Sequence, residues 1–305
     1  MAVYDAAMRI GVDLGGSKVE AIALSDTGGE IARIRRATPL GDYGATVDLI
    51  ASMVHEIEAE LGAADSVGVG TPGALDPISG LMKNANAVVL NGMPLDVDIA
   101  AGLGRDIKMA NDADCFAVSE ARDGAGAGAD PVFGVILGTG VGGGVVANDR
   151  LVAGPNRIAG EWGHNPLPWM GPGEAPGPDC YCGRQGCVET FLAGPGLAAD
   201  HAARSGGSMT AAQIATAAAG GDQIAAVTMD VYHDRLARSL AAVINILDPE
   251  VIVLGGGLSN IGSIYDAVPE RWGRYVFGGT VLTRLAKAVH GDSSGVRGAA
   301  WLWQA

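Results

Sequence analysis

Positive charge and long apolar runs are both scarce in this chain of 305 residues. It has 20 Lys and Arg against 34 Asp and Glu, a formal net charge of −14, which disfavours a general binder of nucleic acids or other polyanions. Its apolar stretches are short and interrupted by glycine, so none reaches the roughly 20 residues that span a bilayer. Residues 1–9 lack a basic segment followed by an apolar one, so we expect no secretory signal and a cytoplasmic location.

Cysteine is scarce too, because four in 305 residues do not make a disulfide framework. Three of them nevertheless form a C-x-C-x₄-C cluster, Cys180, Cys182 and Cys187, and His164 precedes the cluster. Three thiolates and one imidazole predict a closed tetrahedral Zn²⁺ site, which would be structural because four protein ligands leave no open position. The alternative is a group of buried or reactive cysteines. Cys115 lies in an apolar segment and is expected in the core.

Glycine, by contrast, is abundant: there are 48, about twice the typical share of about 7%. Runs at 15–16, 138–144 and 255–257 each follow a short β-branched apolar segment. This pattern predicts strand-to-turn segments whose backbone amides contact phosphate or nucleotide. The second run has no Lys and is therefore not a P-loop.

The length predicts two domains, because about 300 residues is near the limit for one hydrophobic core, and it favours an active site in the cleft between them. The strand, glycine turn and return strand at 132–146 repeat the pattern at 9–24, which suggests an internal duplication. The small-residue stretch 124–131 is the expected boundary. We therefore expect a small α/β domain at 1–122, a large α/β domain at 123–290 with the Cys cluster, and a return of 291–305 to the first domain.

Local patterns predict several elements. Apolar residues spaced three and four apart indicate helices over 46–61 and 224–247, and a buried strand is expected at 251–254. The segment 171–179, rich in glycine and proline, predicts an exposed loop. Three isolated histidines, His55, His201 and His233, are expected at the surface.

Asp13 ends the first predicted strand, two residues before the Gly15-Gly16 turn. A carboxylate there could hold Mg²⁺ if the turn amides hold phosphate. Alternatively, the turn only makes a tight hairpin that Asp13 caps. Two phosphate hairpins and a third glycine turn for adenosine are the ATPase arrangement of sugar kinases, actin and Hsp70-type proteins.

Asp112 is a carboxylate that could act as a general base, because it could accept a proton from an attacking hydroxyl within hydrogen-bond reach. The alternative is that Asn111-Asp112 caps a helix over 113–122. Both readings hold if each residue takes one role.

Four motifs resemble the ROK family of sugar kinases and repressors over essentially the whole chain: 13–18 (DLGGSK), 111–113 (NDA), 160–164 (GEWGH) and 180–189 (CYCGRQGCVE). Within that family the sequence looks most like bacterial fructokinases with manno(fructo)kinase activity, judging by 83–86, 91–92, 161–169 and 290–295. Ser17 departs from the family, which usually has Thr there, but a hydroxyl remains.

The resemblance implies an α/β, two-domain actin-like or ribonuclease H-like ATPase fold and ATP-dependent phosphorylation of the 6-hydroxyl of fructose, which gives fructose 6-phosphate and ADP. Glucose, mannose or N-acetylglucosamine is the alternative substrate. It further implies ATP, Mg²⁺ and structural Zn²⁺, a homodimer, and Asp112 as the base. The implied sugar ligands are Asn86, Asn111, Asp112, Glu161, His164 and Glu189. The implied nucleotide-site residues are Asp13, Gly15, Gly16, Ser17, Lys18, Gly138, Thr139, Gly140, Gly255, Gly256 and Gly257.

Two other classes of function are weighed against the kinase. A ROK repressor would carry an N-terminal helix-turn-helix domain, whereas the first phosphate hairpin here begins by residue 9 in an acidic chain. An actin-like interaction protein would not need the glutamates, the histidine and the base together. We therefore expect sugar and ATP as partners, and neither nucleic acid nor membrane.

Overall fold

The computed structural model describes residues 7–85 and 87–303, apart from the side chain of Asp292. It contains both helices and strands, as expected for an α/β fold. In chain order they are β1 (Met8–Leu14), β2 (Lys18–Ser25), β3 (Glu30–Ala37), α1 (Tyr43–Leu61), β4 (Ser66–Thr71), β5 (Ala74–Leu75), β6 (Met82–Lys83), α2 (Leu95–Leu103), β7 (Lys108–Asn111), α3 (Asp112–Asp123), β8 (Val132–Leu137), β9 (Val141–Ala147), β10 (Arg150–Leu151), α4 (Val188–Leu192), α5 (Gly194–Ser205), α6 (Ala211–Ala219), α7 (Gln223–Leu247), β11 (Val251–Gly255), α8 (Ile264–Ala267), α9 (Pro269–Trp272), β12 (Arg284–Lys287) and α10 (Ser294–Trp301).

Two five-stranded sheets share one strand order, β3-β2-β1-β4-β7 in the first and β10-β9-β8-β11-β12 in the second. In the first, β1 pairs antiparallel with β2 and parallel with β4, and β4 pairs parallel with β7. In the second, β11 lies parallel between β8 and β12. The common order agrees with the repeated strand, turn and strand pattern of the two halves.

The chain divides into two compact units: Met1–Gly128 with Gly144–Ala159 and Asp292–Ala305, and Ala129–Gly143 with Gly160–Gly291. This division differs from the expected boundaries mainly by placing 144–159 in the first unit. The backbone at Gly144 packs directly against α3, because a Cβ on Gly144 would lie 2.7 Å from the carbonyl oxygen of Ala113. This contact places the segment that begins at Gly144 with the first unit.

The core of the first unit lies between its sheet and α1. Ile50, Val54 and Ile57 of α1 pack in one cluster with Ile10 and Val12 of the central strand, and all five are at most 2% exposed. The three helix residues recur at spacings of three and four, so they share the face that meets the sheet.

Helix α10 approaches β1 and β4 so closely that only glycine fits at the contact. A Cβ on Gly11 would lie 2.1 Å from the carbonyl oxygen of Val296, and one on Gly68 would lie 1.9 Å from that of Ala299. Gly298 meets α3 in the same way, 1.6 Å from the carbonyl oxygen of Cys115. The final helix therefore packs backbone to backbone against three elements of this unit.

Most local predictions are confirmed. Helices α1 and α7 and strand β11 agree with the predicted segments to within three residues at each end, and 171–179 contains no helix or named strand. His201 and His233 were wrongly expected at the surface: they are 2% and 6% exposed, because Thr228 and Ser263 provide hydrogen-bond partners inside the fold. Among the described residues, no helix is long and apolar enough to cross a membrane.

Candidate active site

The first glycine turn joins β1 to β2 and is closed by its own backbone. Gly15 N–H donates to the carbonyl of Lys18 at 2.9 Å, and the Thr38 hydroxyl donates to the carbonyl of Gly15 at 2.8 Å. Among the described residues, no atom outside Gly16 and its chain neighbours lies within 4 Å of the position that a Cβ on Gly16 would take. The backbone at Gly16 can therefore face a ligand on this open side.

Asp13 sits at the end of β1, opposite Glu20 of β2. Burial, together with the negative charges of Asp112 and Glu20, raises the pKa of Asp13 to about 6, while Lys18 opposes the shift. Glu20 is already paired with basic side chains, but Asp13 lies within electrostatic reach of a second carboxylate, that of Asp112, and such a pair of carboxylates is a favourable environment for a cation. The residues present therefore fit a Mg²⁺ ion held at Asp13.

Glu20 is held by basic side chains. It is 1% exposed and forms ion pairs with Lys18 at 3.3 Å, with Arg35 at 2.9 Å and with Arg33. Arg33 also donates to the hydroxyl of Ser293 at 3.1 Å, just before α10. The network therefore ties β2 and β3 to the start of α10.

Asn111 and Asp112 begin α3 and have different contacts. The Asn111 side chain accepts from Asp114 N–H at 2.6 Å and is the N-cap. The Asp112 carboxylate accepts from Ala113 N–H at 2.8 Å, and burial raises its pKa although backbone hydrogen bonds oppose the rise. The predicted helix cap is thus confirmed for Asn111. Asp112 is not needed as the cap, so it is available for the predicted role of general base.

A cavity of about 40 Å³ opens beside Asn111, inside the first unit. It has room for a few water molecules or a small substituent. The sequence reasoning did not point to this cavity, because its wall combines three distant segments. The lining residues are Thr71, Ala74, Leu75, Met109, Ala110, Asn111, Asp114, Leu151, Ala153 and Arg157.

Asn86 lies outside the described residues. Ala85, the residue before it, forms two backbone hydrogen bonds with the side chain of Asn91: Asn91 accepts from Ala85 N–H at 2.9 Å and donates to the Ala85 carbonyl at 3.0 Å. Asn91 therefore stabilises the conformation of this loop.

The second glycine turn joins β8 to β9. Gly138 N–H donates to the carbonyl of Gly140 at 3.0 Å, and Val141 N–H donates to Oε2 of Glu189 at 2.8 Å. In the part of the chain that the structure describes, no atom outside Gly138 and its chain neighbours lies within 4 Å of a Cβ position on Gly138. The third glycine segment follows β11, the parallel neighbour of β8, so both segments leave the same edge of the sheet.

The predicted metal ligands come together in the second unit. Ligand atoms of His164, Cys180, Cys182 and Cys187 all lie within 4.8 Å of one another. Cys182 Sγ is 3.6 Å from Cys187 Sγ, and Cys180 Sγ is 3.6 Å from His164 Nδ1. Zn–S bonds of about 2.3 Å at tetrahedral angles place sulfur atoms roughly 3.8 Å apart, so the donors fit one ion.

The other nitrogen of His164 has a partner. His164 Nε2 lies 2.9 Å from the hydroxyl of Tyr181, which is 81% exposed. Although most of the side chain is exposed, partial burial of its hydroxyl end, followed by the charges of Glu189 and Glu161, raises the pKa of Tyr181 to about 12. A sugar hydroxyl at His164 would therefore have to replace the tyrosine as the partner of Nε2.

The arrangement belongs to a known class. Two sheets of common strand order, each with a glycine turn at its first strand, define the α/β fold of actin-like sugar kinases. A ROK hexokinase from Thermus thermophilus has this fold, with a TM-score of 0.86, 29% identity and 97% of both chains covered. A ROK glucokinase from Streptomyces griseus, in complex with glucose and AMPPNP, gives a TM-score of 0.74 at 28% identity, with 97% of this chain and 99% of that chain covered.

The sequence comparison names the family. The sequence profile of the ROK family matches residues 9–305, so the chain belongs to the ROK family. The N-acetyl-D-glucosamine kinase of Vibrio cholerae is 40% identical over 299 residues, which cover 97% of this chain and 99% of that protein.

Proposed function

We propose that the protein transfers the γ-phosphoryl group of ATP to the 6-hydroxyl of a hexose. The observation that carries the proposal is the pair of carboxylates in the first unit, Asp13 beside the first glycine turn and Asp112 at the start of α3, close enough for the charge of Asp112 to raise the pKa of Asp13. One carboxylate suits a cation and the other suits a proton acceptor.

In this reaction, Asp112 accepts the proton of the 6-hydroxyl as its oxygen attacks the γ-phosphorus. The bond from that phosphorus to the bridging oxygen breaks, and ADP leaves. Amides of the turns at 15–18 and 138–140, with residues 255–257, would hold the nucleotide. Mg²⁺, when bound at Asp13, would neutralise charge on the phosphates. Asn86, Asn111, Glu161, His164 and Glu189 are the proposed sugar ligands.

We propose fructose as the preferred substrate, because the motifs at 83–86, 91–92, 161–169 and 290–295 look most like those of bacterial fructokinases. N-acetylglucosamine is the second candidate, supported by the name of the relatives that are 38–40% identical. Since one or two polar contacts to ring substituents decide such preferences, kcat/KM is the quantity to compare.

The test is ADP release with fructose, mannose, glucose and N-acetylglucosamine, each over a range of concentrations with saturating MgATP. The highest kcat/KM with fructose supports the first proposal, and the highest with N-acetylglucosamine supports the second. No ADP release above the sugar-free rate with any hexose would contradict the kinase proposal itself.

We also propose Zn²⁺ as the ion at His164, Cys180, Cys182 and Cys187, because three thiolates and an imidazole at these separations suit its softness and tetrahedral geometry. Thiolate ligands stay available in a reducing compartment, which supports a cytoplasmic location.

A further inference from the structure

Glu189 touches the second glycine turn. Its Oε2 accepts from Val141 N–H at 2.8 Å, and a Cβ on Gly140 would lie 2.7 Å from the same oxygen. The carboxylate therefore occupies the space that any side chain at position 140 would need. A charged acceptor makes this a stronger hydrogen bond than one between neutral groups.

A second tether holds the other end of the same turn. Gly194 N–H donates to the carbonyl of Gly138 at 2.8 Å, and Ala193 N–H donates to the carbonyl of Glu189 at 3.0 Å. Both ends of the turn are thus bound to one short stretch of chain, 189–194, which contains most of α4.

The start of that stretch is a predicted metal ligand. Cys187 is the N-cap residue of α4, is 1% exposed and has its sulfur 3.6 Å from that of Cys182. Val188 N–H donates to the carbonyl of Asn165 at 2.9 Å, next to His164. Four ligands on one ion would therefore fix the position from which Glu189 extends.

From these contacts we propose that Glu189 positions the turn 138–141 for nucleotide phosphate, and that the metal knuckle, residues 164–189, sets the position of Glu189. The proposal rests on the proposed function, in which this turn binds ATP. Glycine-rich backbone loses much conformational freedom when it is fixed, so a turn held in advance binds its ligand more tightly. Nucleotide affinity then depends on a residue that need not touch the nucleotide.

The alternative is that Glu189 serves only as a sugar ligand. The two roles separate when sugar is absent. A pure sugar ligand would leave the affinity for a nucleotide analogue unchanged, whereas a positioning residue would not.

The experiment measures AMP-PNP binding by calorimetry, with Mg²⁺ and without sugar, in three variants. Glu189→Ala removes the acceptor and is expected to weaken binding about 10- to 100-fold, the effect of losing one hydrogen bond to a charged group. Glu189→Gln keeps an oxygen that can accept from Val141 N–H but loses the charge, so its affinity should lie between those of Glu189→Ala and the unaltered protein. Glu270→Gln, the same change at an exposed site of this unit, is the matched control and should have no effect.

Amide hydrogen exchange of 138–141 is measured on the same variants without nucleotide. We expect faster exchange in Glu189→Ala and in the unaltered protein after removal of zinc, with little further increase when both changes are combined. Unchanged exchange and unchanged AMP-PNP affinity in Glu189→Ala would overturn the proposal, and additive effects of the alanine and zinc removal would overturn its metal-dependent part.

Failure of the proposed function has a different signature. If the unaltered protein does not bind AMP-PNP, the assignment of the turn to ATP is wrong, while the exchange data still test the tether. Should Glu189→Ala fail to fold, Glu189→Gln and the zinc-free protein decide. Unchanged amide exchange of 138–141 in Glu189→Gln, which has lost the charge, overturns the role of Glu189, and unchanged exchange in the zinc-free protein overturns the metal-dependent part.

Discussion

Asn111 and Asp112 are adjacent, yet their contacts assign them different tasks. The amide oxygen of Asn111 meets the need of the first α3 turn for an acceptor. The carboxylate of Asp112 is therefore not required as the N-cap. A residue that burial makes costly to ionise, and that the helix does not need as its cap, is a good candidate for chemistry.

Replacing Asp112 with Asn tests this at a single atom. The variant keeps the size of the side chain but loses the proton acceptor, so kcat should fall at least about 10²-fold while the KM for sugar changes little. Steady-state kinetics measure both constants, and a thermal melt checks folding. A folded variant that retained half its turnover would contradict the assignment.

Asp13 predicts a pH dependence of the Mg²⁺ requirement. A carboxyl with its pKa raised to about 6 binds a proton at a pH where an ordinary aspartate is ionised, and that proton must leave before a cation binds. Below pH 6 the free Mg²⁺ needed for half-maximal rate should rise about tenfold per pH unit, and above pH 7 it should level off. Rates at fixed MgATP and varied free Mg²⁺ measure this, and a constant requirement from pH 7.5 to 5.5 would exclude it.

Among the elements, α10 depends on glycine at its contacts. Gly298→Ala would place a methyl group 1.6 Å from the carbonyl oxygen of Cys115, so α10 and α3 must separate. We expect the free energy of unfolding to fall by at least about 2 kcal/mol. Gly44→Ala, in the first turn of α1 with only an ordinary contact at 3.7 Å, is the control and should be neutral or stabilising. Urea unfolding compares the two, and equal losses would contradict the close packing.

The loop 171–179 is fastened to α7 by Glu174. Its carboxylate accepts from Arg235 at 2.8 Å, from Arg238 at 2.7 Å and from Gly171 N–H at 2.7 Å. Burial alone would raise the pKa of Glu174, but these hydrogen bonds outweigh burial and lower it to about 2. Because the pKa of Glu174 is lower in the folded protein than in the unfolded chain, where it is about 4.3, its ionised carboxylate stabilises the fold at pH values above about 4.3. This stabilisation is lost as the pH falls toward 2.

Glu174→Gln should accordingly be less stable than the unaltered protein at pH 7, and the difference should shrink steadily as pH falls from about 5 toward 2. Urea unfolding at several pH values measures it. Glu270→Gln, with no such partners among the contacts described, should show no such trend. A difference for Glu174→Gln that is constant with pH would exclude the ion pairs as its cause.

Sequence patterns predict elements whose causes are local. The apolar spacing of α1 and α7, the glycine turns and the Asn111 cap all depend on residues a few positions apart. Contacts between distant segments could not be read in this way: Val141 and Glu189 are 48 positions apart, and Gly11 meets Val296 only because α10 returns to the first sheet. The burial of His201 and His233 was not predicted for the same reason, because their hydrogen-bond partners, Thr228 and Ser263, are about 30 positions away in the sequence.

For the whole molecule, metal content is the simplest prediction. The four ligands share one site, so elemental analysis should find about one zinc per chain. Cys182→Ser should lose zinc and become more sensitive to proteolysis within 164–189, because the metal holds that segment. Cys115→Ala, which alters the cysteine outside the cluster, should keep its zinc. Active protein purified without zinc would contradict the site.

The return of α10 to the first sheet has a consequence for synthesis on the ribosome. Strands β1 and β4 are made early, but the backbone surface at Gly11 and Gly68 is covered by residues 294–301, near the end of the chain. The first unit therefore cannot complete its packing until residues 294–301 have emerged from the ribosome, and by then every residue of the second unit has been translated. The strands that are translated first thus wait for a partner helix that is made after the whole of the second unit.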